Sequence, residues 1–494
     1  MVIEKCRMKR TSCTDVSQRT SKRRHRFEAT GGSSLHHIDI NILASVVVPF
    51  LNVSDLVALR KTSKFFRALA GLWYLEDLDE APHWVKQLVR YVFVYGSDLP
   101  TFFPRLVHLV FLGYAFTARI RALPTGLRHL VLGHGFNQPL DADILPAGLT
   151  HLRFGREFNQ PLPELPAGLK ELVFGDAFDQ HLTPGSLPAG LIVLEFGDSF
   201  NNSSQALSPG VLPAGLKELT FGDDYMHRLD TLPAGLELLK LGAAYLHPLV
   251  PGMLPASLKH LEFGRCYNEP LVPGSLPRGL KSISFGFSFN RPLDVGVLPT
   301  GLEDLQLSST FDQLLAPGAL PATVTKLEFG CDFKHRLDVG VLPAHLVHLR
   351  LGNRFNQALL PDVLPPLLQT LEFGEAYDTP LAPGTLPAGL QRLSFGRCFN
   401  QPLIAGTLPT RLKHLTFGSR FNKPLAVGIL PPNLRRLEFG HDYKKQIAPN
   451  VLPNGLRILR FHKTDNQPIA PDVLPPELPS DIVLAPIDIR GPLH

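Results

Sequence analysis

From Leu123 onward the apolar residues of this chain recur at a spacing of 22, far longer than a helical or strand period. The unit opening at Leu145 shows the pattern: Leu145-Pro146-Ala147-Gly148, then Leu149-x-x-Leu152-x-Phe154, Gly155, Phe158 and Leu162. Leu-Pro openers stand at Leu123, Leu145, Leu165, Leu187, Leu212 and Leu232, then every 22 residues through Leu452, which makes sixteen units. Leu474-Pro475 opens a further one that does not complete. A fixed period of this kind predicts a stacked array in which each unit buries its apolar side against its neighbours.

Counted from the opening leucine, the first four residues, Leu-Pro-x-Gly, predict a type I turn with proline at the first central place. Leucine at position 8 and an aromatic or leucine at position 10, as in Leu219 and Phe221, predict a short strand with one buried face. Glycine at position 11 ends the strand, and Phe or Tyr at position 14 returns to the core. Positions 1, 5, 8, 10, 14 and 18 are therefore the expected core column. Twelve units place Asn or Asp at position 15, among them Asn137, Asn159, Asn290 and Asn422. A short polar side chain at one height in every coil predicts a hydrogen-bonded ladder along the stack. Prolines at positions 17 and 20, such as Pro248 and Pro251, leave no room for a helical return, so the outer side is expected to be extended or turn-like.

Composition changes this picture little. The 41 glycines and 46 prolines fall largely at fixed places of the period and do not signal disorder. The net charge of +5 is concentrated in residues 1–34, which carry nine Lys/Arg against three Asp/Glu. The repeats are close to neutral, so no nucleic-acid partner is expected. Five cysteines without CxxC spacing argue against a disulfide framework or a zinc site. The start lacks an apolar signal segment, and nowhere do eighteen apolar residues run together, so no membrane association is expected. The location expected is cytoplasmic or nuclear, the latter through Lys22, Arg23, Arg24 and Arg26 as an import signal. A flexible basic tail explains those residues equally well.

Two family resemblances sit on these residues. The Gly-x-x-Phe-Asn-x-Pro-Leu stretch, plain in Phe136-Asn137-Gln138-Pro139 and Phe399-Asn400-Gln401-Pro402, closely resembles the FNIP repeat, and the strand resembles the leucine-rich repeat. Residues 38–73 resemble an F-box through Phe50-Leu51-Asn52-Val53-Ser54-Asp55-Leu56, Arg60 to Arg67 and Trp73. Together they imply an α+β chain: a small helical F-box-like domain, then a leucine-rich-repeat-like parallel β-solenoid with a mostly non-helical outer side. The expected division is a disordered basic tail (1–34), the F-box-like domain (35–75), linking helices (76–101), a degenerate capping coil (102–122), sixteen FNIP-type repeats (123–473) and a C-terminal cap or tail (474–494). On the linking helices the packing face would hold Trp84, Val85, Leu88, Val89 and Val92. The F-box resemblance implies that Leu43, Phe50, Leu51, Leu56 and Leu59 dock a Skp-type adaptor of a cullin ubiquitin ligase, with the solenoid binding an unidentified target protein. The alternative is a stand-alone interaction scaffold whose helical segment only caps the array.

No catalytic, cofactor-binding or metal-ligating residue is assigned, because no nucleophile elbow or phosphate loop appears in a strand-to-helix setting. His129, His151 and Glu171 form a row on neighbouring coils, readable as a metal site or as ordinary strand surface. The late coils carry Arg350, Arg392, Lys413, Arg435, Arg436, Arg457 and Arg460 at outward places, broken by Glu438. They are either a solvated face or a target site for an acidic segment. Val173, Ile192 and Val193 put apolar groups where other coils are polar, which suggests a small contact patch.

Overall fold

The computed structural model describes Leu72–Tyr74, Tyr91–Val94, and residues 106–111, 117–141, 143–201 and 206–461. It forms two compact units, Met1–Tyr225 and Met226–His494. In the first, eight short strands are seen: β1 (Leu72–Tyr74), β2 (Tyr91–Val94), β3 (His108–Phe111), β4 (His129–Val131), β5 (His151–Arg153), β6 (Glu171–Val173), β7 (Val193–Glu195) and β8 (Glu218–Thr220). Each pairs in parallel with the next in chain order. The second unit repeats the arrangement with β9 (Leu238–Lys240), β10 (His260–Glu262), β11 (Ser282–Ser284), β12 (Asp304–Gln306), β13 (Lys326–Glu328) and β14 (His348–Arg350). It continues through β15 (Thr370–Glu372), β16 (Arg392–Ser394), β17 (His414–Thr416), β18 (Arg436–Glu438) and β19 (Ile458–Arg460).

The expected α+β class does not hold. Among the described residues there are strands and turns but no helix. Leu72 and Trp73, expected in the helical F-box-like domain, lie in β1, and Val92, expected on a linking helix, lies in β2. Parallel pairing of β1 with β2 and β2 with β3 starts the ladder before the coil expected to cap it at 102–122. The run Tyr91-Val92-Phe93-Val94 is built of aromatic and β-branched residues, which suit a ladder and lose rotamer freedom in a helix. Leu43, Phe50, Leu51, Leu56 and Leu59 lie outside the described residues, as do Lys22, Arg23, Arg24 and Arg26.

The expected core column is in place through most described coils, with Leu123, Leu162, Leu232 and Ile447 only half-buried. Leu390, Leu393, Phe395, Phe399 and Leu403 are all buried. Position-8 leucines meet in register, Leu371 with Leu393 and Leu393 with Leu415. The aromatic residues form two columns: Phe395 stands 5.3 Å from Phe373 and 5.7 Å from Phe417, and Phe399 stands 6.1 Å from both Tyr377 and Phe421. A 3.8 Å contact between Phe395 and Phe399 ties the columns within one coil. Each buried phenylalanine contributes roughly 1.5–3 kcal/mol through area removed from water.

Three local details differ from the pattern expected. The first turn closes one residue later, because the Pro146 carbonyl accepts from the Leu149 N–H at 2.9 Å. Proline is thus the first residue of that turn and not its first central one. A second turn lies on the outer side, where the Val272 carbonyl accepts from the Ser275 N–H at 3.0 Å. Pro273 and Gly274 are its central pair, and Gly274 has φ of 84°, the geometry of a type II turn. Asp143, Asp362 and Asn450 take the same place with φ of 64–66°. This turn carries position 22 back inward, so Val211, Val297, Val341, Ser275, Thr385 and Thr407 are buried as well.

The polar ladder forms as the spacing predicted. The Asn137 side-chain oxygen accepts from the Asn159 backbone N–H at 2.9 Å, Asn159 from Asp179 at 3.0 Å, and Asp179 from Asn201 at 2.9 Å. The same bond links Asp378 to Asn400 at 2.8 Å and Asn400 to Asn422 at 3.0 Å. Gln at position 16 adds a second donor, as Gln401 does to Asp378 at 3.0 Å. Asn400→Ala should leave the half-buried Asn422 N–H without its acceptor and destabilise the array by about 1–3 kcal/mol. Hydrogen exchange at the Asn422 amide is the direct measurement, and unchanged protection there would contradict the ladder's role.

Candidate binding face

Positions 6, 7 and 9 lie off the core column in nearly every coil, Val173 being the buried exception, so the strands present parallel rows of mostly polar side chains on a fixed frame. The pairing registers align Arg392, His414, Arg436 and Ile458 in one row, and Ser394, Thr416, Glu438 and Arg460 in the next. Along β9 to β15 these rows are charge-compensated from strand to strand. Lys240 pairs with Glu262 at 3.1 Å, Lys259 with Glu237 at 2.5 Å and Lys281 with Glu303 at 2.6 Å. Lys326 reaches both Asp304 at 3.3 Å and Glu328 at 2.9 Å, and Arg350 lies 3.9 Å from Glu372. Exposed pairs of this kind contribute little to stability. Their effect is to leave that part of the face without a net field.

The basic residues singled out in the sequence therefore divide. Arg350 belongs to a compensated pair, while the others cluster on β16 to β19. Among those, Arg436 and Arg460 converge on Glu438, with Nη–Oε1 distances of 2.6 and 3.2 Å. Lys413 Nζ donates to the Gln391 amide oxygen at 2.9 Å, a neutral partner. His414 is held below the ordinary histidine range, first by burial and then by Arg392, Arg436, Lys413 and Arg435 around it.

In the first unit the histidine row is longer than expected. His108 joins it, stacked on His129 with ring centroids 4.0 Å apart, and His129 stacks on His151 at 4.0 Å. His151 Nε2 lies 3.9 Å from Glu171, and its Nδ1 lies 2.8 Å from the Thr150 hydroxyl. The rings stand face to face and do not converge, and among the described residues no three such groups could hold a metal ion. His108 escaped the sequence because its coil departs from the 22-residue template. The apolar patch also changes: Val173, in register between Arg153 and Glu195, is 3% exposed and belongs to the core, while Ile192 is exposed.

The stack gives the first unit a pH dependence. Burial holds His108 down to about 4, with His151 adding to it, and holds His129 down to about 4, with His108, His151 and Arg128 adding. The unfolded chain, with histidines near the usual value of about 6.5, takes up protons that the folded stack refuses. The neutral stack's contribution is whole above that value and is lost as pH falls towards 4. Melting temperature should decline across this window, and His129→Asn should flatten the decline. An identical slope in the variant would show that the stack does not titrate as described.

The parallel ladder, the leucine and aromatic columns and the turn-built outer side define a leucine-rich-repeat-like β-solenoid. The FNIP repeat model matches it in successive spans from 117–157 through 443–480, overlapping from residue 227 onward. The chain belongs to the FNIP-repeat family. Among solved structures it is similar to CroV588, described as a novel circular LRR protein, at 34% identity and a TM-score of 0.70, covering 79% of this chain. The chain spans 62% of that protein's length. A second likeness, to the mouse RP105/MD-1 complex, has 17% identity and a TM-score of 0.48 over 78% of this chain and 72% of that one. Comparison with curated proteins gives no match.

Proposed function

We propose that this protein is a non-enzymatic interaction scaffold whose strand face binds a target protein. One observation carries the reading: the core column and the polar ladder repeat almost unchanged, while positions 6, 7 and 9 vary from coil to coil on a rigid frame. Variable outward places on a fixed core are what a recognition surface needs, and repeat arrays offer extended faces of this kind. A photo-crosslinking residue placed at Ser282 or Arg392 should capture a partner in cells, whereas one at Val295 or Val427 on the outer turns should not. Capture from the outer turns alone would overturn the reading.

The narrower function, docking of a Skp-type adaptor through residues 35–75, rests on the sequence resemblance only. Its test is a pull-down of the full chain with the adaptor, and of Leu51→Asp beside it. Binding abolished by that change would support ligase recruitment; absence of binding by a folded chain would leave the scaffold alone.

A further inference from the structure

Charge compensation on the strand face of the second unit stops at β16. From β9 to β15, carboxylates on the same rows answer the cations, as in Lys281–Glu303 and Lys326–Asp304. Beyond that point Arg392, Arg435 and Arg457 are exposed, and none forms an ion pair among the described residues. Lys413 has only an amide oxygen as partner. The one carboxylate on these strands, Glu438, is already shared by Arg436 and Arg460. Cations brought together without carboxylates repel one another, and surfaces keep such arrangements where an anion relieves the repulsion.

We infer that the strand face of β16 to β19 is the docking site for an extended acidic polypeptide segment of a partner protein. The inference rests on the scaffold reading and names the partner's chemistry. Geometry favours an extended chain crossing the strands. Arg392 and Arg436 are in register two strands apart, which is about 10 Å in a parallel sheet. A segment in the polyproline II conformation returns every third side chain to one side after about 9 Å, so its acidic residues meet alternate strands. A fully extended β-conformation returns every second side chain after about 7 Å, which matches no multiple of the strand spacing. Guanidinium groups suit carboxylates because their fork donates two parallel hydrogen bonds. Nucleic acid is a poorer fit. The outward places of β16 to β19 hold no Phe, Tyr or Trp for a base to stack on, only the half-buried His414, and Glu438 sits among the cations where a phosphate backbone would pass.

The probe is a labelled twelve-residue peptide with glutamate at every third position between serine and glycine, titrated against the full chain by fluorescence anisotropy. The expected result is saturable binding that weakens at least tenfold in Arg392→Glu/Arg435→Glu, weakens with added salt, and is unchanged in Lys259→Glu just before β10. Binding should also move the His414 titration upward in NMR, because bound carboxylates offset the surrounding cations. Single-stranded RNA of equal charge should bind more weakly. Tighter binding of RNA, equal binding of a lysine-substituted peptide, or no effect of the double variant overturns the inference. If the peptide fails while crosslinking at Ser282 or Arg392 still captures a partner, the acidic segment is wrong and the scaffold stands; failure of both removes the scaffold.

Discussion

Gly396→Ala should destabilise its part of the array by about 3 kcal/mol or more, the upper range for forcing extra volume into a packed interior. A Cβ built on Gly396 falls 2.0 Å from the Gly374 carbonyl oxygen of the preceding coil, a backbone atom that cannot swing aside. The same approach recurs along the stack, at 1.9 Å for Gly418 and 2.2 Å for Gly440. Lower entropy of the unfolded chain favours alanine by roughly 0.4–1 kcal/mol, too little to offset such a clash. Ser308 shows what relief requires. It takes the glycine's place with its hydroxyl donating to the Phe289 carbonyl, and in the coil it packs on Phe287 and Ser288 form an open bend. At Gly396 the facing coil has instead a closed turn, in which the Gly374 carbonyl accepts from the Tyr377 N–H at 3.4 Å. Chemical denaturation of the variant measures the loss, and an unchanged midpoint would refute the close approach.

Phe395→Ala should lose about 3–5 kcal/mol through transfer energy and the cavity left behind. The ring is 4% exposed and touches aromatic neighbours on both adjacent coils and within its own. The backbone ladder holds the coils at the strand spacing, so the vacancy cannot close by collapse. In a nearest-neighbour array the loss is local. Amides of β15 to β17 should exchange faster before those of β10 to β12 do. Uniform loss of protection across the unit would show stronger coupling than a stack of this kind allows. Arg392→Ala, three residues away and exposed on the opposite face, should leave stability nearly unchanged and serves as the control.

The sequence shows most plainly what every coil repeats. Leu393, Phe395 and Phe399 were legible because the same residue types return at one height, and Asn400 because a short polar group there has one obvious use. Position 22 was not legible. Its occupants range over Val, Ile, Ala, Met, Ser and Thr, and a tight turn precedes it, so chemistry pointed outward while backbone geometry turns it in. Strand β2 was read as helix because Val85, Leu88, Val89 and Val92 recur at helical spacing, and β1 because residues 38–73 resemble an F-box. A parallel neighbour supplies ladder bonds that no local pattern announces. The shared role of Glu438 needed register as well as period, since its two partners lie on its own strand and the next one.

The polar ladder also has a direction and an end. Each side-chain oxygen serves the coil that follows, so a residue lacking one receives no continuation. Lys334 donates its N–H to Asp312 at 3.3 Å but offers no oxygen onward, and the chain of bonds resumes only with Asn356 and Asp378. Lys444 closes the next run by taking the Asn422 oxygen at 3.0 Å. Lysine therefore acts as punctuation, dividing the second unit into phrases that share aromatic stacking but not the polar thread. Between Lys334 and Asn356 the coils keep the strand pairing and the stacking of Phe333 on Phe355, but no side-chain oxygen of the ladder joins them at that height.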